Sequence, residues 1–137
     1  MKFTPSTNKI LFVKPPDRFL EDEFVYQQLG PHYLQSFLEK YEIISDILVL
    51  YEQSEVRIKR EAGEVNELSL EQLNMLFLGE DGKSQDKVFD NTIFQEYDIV
   101  ALSVMSPQAS DAYFISQLIN ELYPHITTVI GGPHPRY

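Results

Sequence analysis

Along most of this chain, short apolar runs are separated by single helical segments, and that alternation narrows the possible folds more than any other feature. The runs occupy residues 10–13, 43–51, 98–104 and 127–130. The first, Ile10-Leu11-Phe12-Val13, is closed by Pro15-Pro16 and reads as a buried strand entering a stiff loop. The second, "IISDILVLY", is almost continuously apolar, as suits a strand covered on both faces of a parallel sheet. "DIVALSV" is the third strand and "TTVI" the fourth, an apolar run that also reads as buried.

The intervening segments carry helical periodicity. Gly30-Pro31 opens a helix in which Leu34, Phe37, Leu38 and Tyr41 recur at i, i+3, i+4 and i+7, giving one apolar face. A second helix is predicted over 109–123, with Ile115, Leu118, Ile119 and Leu122 on one side and Pro124 ending it. Strands joined by single helices imply right-handed βαβ crossovers. The expected fold is therefore α/β: a flavodoxin-like (Rossmann-like) open parallel sheet in strand order 2-1-3-4, with helices on both faces. The chain reads as one domain over 1–137, with 52–90 as an insertion within it. There Ser69-Leu70-Glu71-Gln72 has capping-box spacing, and Leu70, Leu73, Leu76 and Phe77 predict a short helix. "GEDGKSQDK" predicts a polar loop.

Composition removes several functions. The net charge of −10 leaves no basic stripe for nucleic-acid phosphates. The basic cluster Arg57 to Arg60 is flanked by Glu55 and Glu61 and reads as a solvated strand or loop face. With no cysteine, the chain cannot form disulfides, thiolate metal sites or cysteine-ligated iron–sulfur clusters. No apolar run has signal-peptide or membrane-spanning length, so a cytoplasmic location is expected, with no nucleic-acid or membrane partner.

In a sheet of this order, ligands sit over the carboxyl ends of the strands, where the topology switches between the first and third strands. The loops expected there contain Pro15 and Pro16, then Ser103, Ser106 and Pro107, then Gly131, Gly132, Pro133 and His134. Glycines expose backbone, serines offer short hydroxyls, and prolines keep the loops stiff. A Gly-Gly pair after a strand also serves simply as a turn, and Ser103 as a strand-end hydroxyl bonded to backbone. His134 lies between prolines with no second ligand at metal-binding spacing, and no role is assigned to His32 or His125. No catalytic acid–base pair, triad or phosphate-binding glycine pattern is present, so no catalytic residue is assigned.

The ordered pieces "KILFVKPP", "LGPHYLQSFLEKYEI", "YDIVALSVMSP" and "PHITTVIGGPHPRY" resemble the cobalamin-binding N-terminal domain of radical S-adenosylmethionine enzymes. The resemblance implies a corrinoid held over the strand ends by Pro15, Pro16, Ser103, Ser106, Pro107, Gly131, Gly132, Pro133 and His134. Where related cobalamin domains carry Asp-x-His-x-x-Gly with a cobalt-ligating histidine, this chain reads "KPPDRFLED", implying binding without histidine ligation. It further implies a module that is not catalytic alone. The parent would be a cobalamin-dependent radical enzyme, such as a methyltransferase, whose S-adenosylmethionine and iron–sulfur cluster belong to a catalytic domain outside this sequence. Measured against that family, the last strand and helix of the cobalamin domain are also missing. The expectation is an N-terminal fragment whose fourth strand offers an open edge for self-association. Two other readings stay open: a flavodoxin-like interaction or regulatory domain without ligand and, ranked below it, a small enzyme or nucleotide binder using the same crevice.

Overall fold

A computed structural model describes residues 9–16, 29–64, 69–78, 84–104 and 109–131. Six strands form one mixed sheet: β1 (Lys9–Lys14), β2 (Ile44–Glu52), β3 (Leu73–Leu78), β4 (Ser84–Val88), β5 (Ile99–Ser103) and β6 (Thr127–Gly131). Among the described residues, three α-helices accompany them: α1 (Leu29–Glu39), α2 (Ser54–Glu61) and α3 (Ala109–Leu122). The strand order is β4-β3-β2-β1-β5-β6. β2, β1, β5 and β6 run parallel, whereas β3 pairs antiparallel with β2 and β4 antiparallel with β3.

This order differs from the expected 2-1-3-4 sheet because two antiparallel strands are added outside β2. The short helix expected around residues 70–77 is a correction of the same kind. Its capping box exists: the Ser69 N–H donates to Gln72 Oε1 at 3.0 Å, and Ser69 Oγ accepts from the Glu71 N–H. It caps only a single 3-10 turn, Leu70–Gln72, after which the chain extends into β3. Residues 57–60 are likewise helical, within α2, where a strand or loop was expected. α2 buries no side chain; it is tied to the sheet by Arg60, whose guanidinium holds both oxygens of the buried Glu52 at 2.8 and 3.0 Å.

The strand period of two divides the core into two clusters. Leu11, Val13, Leu48, Leu50, Val100 and Leu102 face one side, where Ala112, Ile115 and Ile119 of α3 and the fully buried Phe94 cover them. Ile10, Phe12, Ile47 and Val49 face the other, against Leu38 of α1. The crossovers β1–α1–β2 and β5–α3–β6 step in opposite directions from the centre. A common hand therefore places their helices on opposite faces, as found. Asp98 aligns the start of the parallel strands: its carboxylate accepts from the Lys9 N–H at 2.9 Å, and its carbonyl accepts from the Thr127 N–H at 3.0 Å.

The helix ends show how local geometry is closed. Gly63 ends α2 with φ of 79°, and the Glu64 N–H reaches the Lys59 carbonyl at 2.9 Å. α1 closes by the same motif with a glutamate: Glu42 has φ of 59°, and the Ile43 N–H reaches the Leu38 carbonyl at 3.2 Å. Ile43 and Leu38 then meet in the α1-side core, the apolar contact that accompanies such caps.

Two burial expectations are corrected. In α1 only Leu38 of the expected apolar stripe packs on the sheet; Leu34, Phe37 and Tyr41 are each more than half exposed. β6 is half-exposed along its length rather than buried, and it is the outermost strand on its side among the described residues.

Candidate functional site

The carboxyl ends of the parallel strands meet in register. Val13 lies beside Leu102, so the next step places Lys14 beside Ser103, and Ser103 is paired with Gly131. Strand parity puts Lys14, Ser103 and Gly131 in one row on the α1 side of the sheet. Pro15 and Pro16 continue directly from β1 and are buried, Ser103 is half-buried, and Gly131 is exposed. The Val104 N–H donates to the Gly131 carbonyl at 2.9 Å, fixing the ends of β5 and β6 together. Ser106, Pro107, Gly132, Pro133 and His134 lie outside the described residues.

Four of the nine expected residues are thus brought to one edge, at the switch between β1 and β5. Gly131 is not made small by its own surroundings, since a Cβ built there meets no protein atom within 4 Å. Lys14 is the residue of this row that the sequence reading passed over. It is only 5% exposed, a buried cation at the end of an apolar strand. Its parity with Ile10 and Phe12, both in the α1-side core, was the available signal.

Farther along the same edge, β2 extends three residues beyond the partner of Lys14 and ends at Glu52. That carboxylate is occupied by Arg60 and by Arg57 at 3.5 Å, so it serves to hold α2. Among the described residues, no group of three histidine or carboxylate side chains could hold a metal ion. A cavity of about 260 Å³ lies elsewhere, on the α3 side of the hairpin, floored by Met75, Phe77 and Ile93 and rimmed by Lys87, Asp90 and Glu96. None of the expected site residues lines it.

At the opposite end of the sheet, a buried polar pair is built into the α3-side core. The Tyr97 hydroxyl donates to Asp46 Oδ2 at 2.6 Å. Burial, followed by the hydrogen bond and charge of Asp46, pushes the Tyr97 phenol far above its ordinary range. Tyr97 is 2% exposed and Asp46 7%, so both are closed to a ligand. Their role is to hold the core.

Comparison with family models, with curated proteins and with solved structures gives no match to this chain. No described helix is long and apolar enough to cross a membrane.

Proposed function

We propose that this chain is a flavodoxin-like corrinoid-binding module, which holds cobalamin over the carboxyl edge of its parallel strands without a cobalt-ligating histidine. The observation that carries the reading is the row of strand ends at the switch point. The stems of all three expected loops arrive there in register, bearing small or stiff residues, and a Cβ built at Gly131 meets no protein atom within 4 Å. A broad planar ligand can lie close against such an edge, where glycine and short side chains leave the backbone exposed.

In this reading Pro15 and Pro16 form a rigid wall, Ser103 offers a hydroxyl to a side-chain amide of the ligand, and the Gly131 backbone is accessible to it. Lys14, buried beneath the row, contributes no ligand contact of its own but adds positive charge at this edge, which favours a phosphate-bearing nucleotide tail. Ser106, Pro107, Gly132, Pro133 and His134 would complete the surface. The bound corrinoid would supply methyl carriage, or assist radical chemistry begun with S-adenosylmethionine in a larger cobalamin-dependent enzyme such as a methyltransferase. The module itself binds and orients, and performs no catalytic step alone.

Titration of the purified chain with hydroxocobalamin and methylcobalamin, followed by visible absorption, tests this. A saturable change to the base-off spectrum is expected. Spectra that stay those of the free corrinoids at the highest protein concentration would reject the reading. They would favour a ligand-free interaction domain, for which the exposed Leu34 and Phe37 on α1 and Tyr41 just after it speak.

A further inference from the structure

We infer that two copies of this chain associate through β6, pairing antiparallel about a two-fold axis at Val129. The inference is independent of the corrinoid reading and rests on the edge itself. The Thr127 N–H bonds to Asp98 and the Gly131 carbonyl to Val104, so Thr127, Val129 and Gly131 turn their backbone groups toward β5. By the parity of a parallel ladder, Thr128 and Ile130 turn theirs away from the sheet. Such a row of outward N–H and C=O groups is a template for another strand.

Among the described residues, the two outermost strands of the sheet are not alike. β4, on the far side, exposes Asp86 and Lys87, the charged side chains that discourage edge pairing. β6 reads Thr-Thr-Val-Ile-Gly, without charge or proline, and Val129 is 48% exposed.

The same five residues are complementary to themselves. With Val129 opposite Val129 of the second copy, Thr128 falls opposite Ile130 and Thr127 opposite Gly131. Thr128 and Ile130, the outward-facing pair, then exchange both backbone bonds across the junction. The two valines fall at the non-hydrogen-bonded position, where side chains lie closest. No other strand is identified by the edge, whereas a second copy satisfies parity, composition and register together. Because the copies run antiparallel, their carboxyl edges lie at opposite margins of the joined sheet, and Lys14 and Ser103 of each copy stay clear of the junction. Each copy carries a net charge of −10, so added salt, which screens repulsion beyond about 8 Å at physiological strength, should tighten the association.

Sedimentation equilibrium of the full chain at micromolar to near-millimolar concentration, with amide hydrogen exchange on the same samples, tests the inference. A reversible dimer is expected, in which the Thr128 and Ile130 amides gain protection as concentration rises. Val129→Lys sets like charges opposite each other at the axis and should weaken association by about a hundredfold. Thr128→Pro removes an outward donor while leaving the β5 ladder intact, and should also give a monomer with native circular dichroism. A wild-type chain that stays monomeric throughout overturns the inference. So does a dimer that survives both substitutions, or one that forms without protecting these two amides.

Discussion

Removing a single hydroxyl, in Tyr97→Phe, isolates the polar pair inside the α3-side core. In the wild type the phenol donates to Asp46 at 2.6 Å, and both residues are buried. The variant leaves a carboxylate without its donor, so at neutral pH it should lose about 1.5–3 kcal/mol, the range for a hydrogen bond to a charged group. The effect has a pH signature. The folded-state pKa of Tyr97 is raised well above the ordinary value of 10.0. Below pH 10 both folded and unfolded chains keep the phenolic proton, and the stabilisation is complete. Above it the unfolded chain loses the proton while the folded chain keeps it, so stability falls as pH rises, by about 1.4 kcal/mol per pH unit. Wild type should therefore lose about 1.4 kcal/mol between pH 9 and pH 11 through this group, a loss the phenylalanine variant does not share. Urea unfolding of both proteins at the two pH values measures it, with other alkaline titrations cancelling in the difference. A gap between wild type and variant that is the same at both pH values would refute the reasoning.

Further outcomes follow from other sites. Glu52→Gln leaves Arg60 and Arg57 facing a neutral amide at a nearly closed position, and should cost about 3–5 kcal/mol in urea unfolding, as expected when one member of a buried pair is removed. Glu42→Gly relieves a left-handed backbone that glutamate tolerates poorly, and should raise stability by about 1 kcal/mol, read as a higher thermal midpoint. Phe94→Ala empties a fully buried ring and should cost about 3–5 kcal/mol, whereas Phe37→Glu on the exposed side of α1 should stay within about 0.5 kcal/mol of wild type. Asp90 caps the 3-10 turn Asn91–Glu96, and the Thr92 backbone N–H, then its hydroxyl, hold the carboxyl below its ordinary range. Stabilisation from this cap is present above the ordinary carboxylate pKa and is lost as pH falls. The protection of the Thr92 amide, its exchange rate divided into the intrinsic rate at each pH, should fall in acid for wild type but not for Asp90→Asn.

The parallel centre of the sheet was legible because its strands are apolar on both faces, and such runs advertise themselves whatever surrounds them. β1, β2, β5 and β6 and the helix α3 all begin and end within a few residues of the expected positions. The hairpin was not legible. Leu73, Leu76 and Phe77 are spaced as in a helix, and the capping box before them is real. What makes the segment a strand is pairing with β2, a partner found only in three dimensions. α2 was hidden for the opposite reason: "SEVRIKRE" has no apolar stripe, and its anchor is the distant carboxylate of Glu52. The α1 stripe misled because periodicity shows that a helix has an apolar face, but not that the sheet covers it. For the candidate site, the sequence marked the loop stems at Pro15, Ser103 and Gly131 but passed over Lys14, which looks like a strand's solvent-facing end until its parity is counted.

The central claim is that the carboxyl edge at Gly131 is a corrinoid platform. The most direct measurement is a visible-absorption titration of methylcobalamin with wild type beside Gly131→Trp. A Cβ at this position meets no protein atom within 4 Å, so the variant should fold normally, with its indole occupying the space assigned to the ligand. The account predicts a saturable base-off shift for wild type and none for the variant at equal circular dichroism. Identical titrations for the two proteins, whether both bind or neither does, would contradict it.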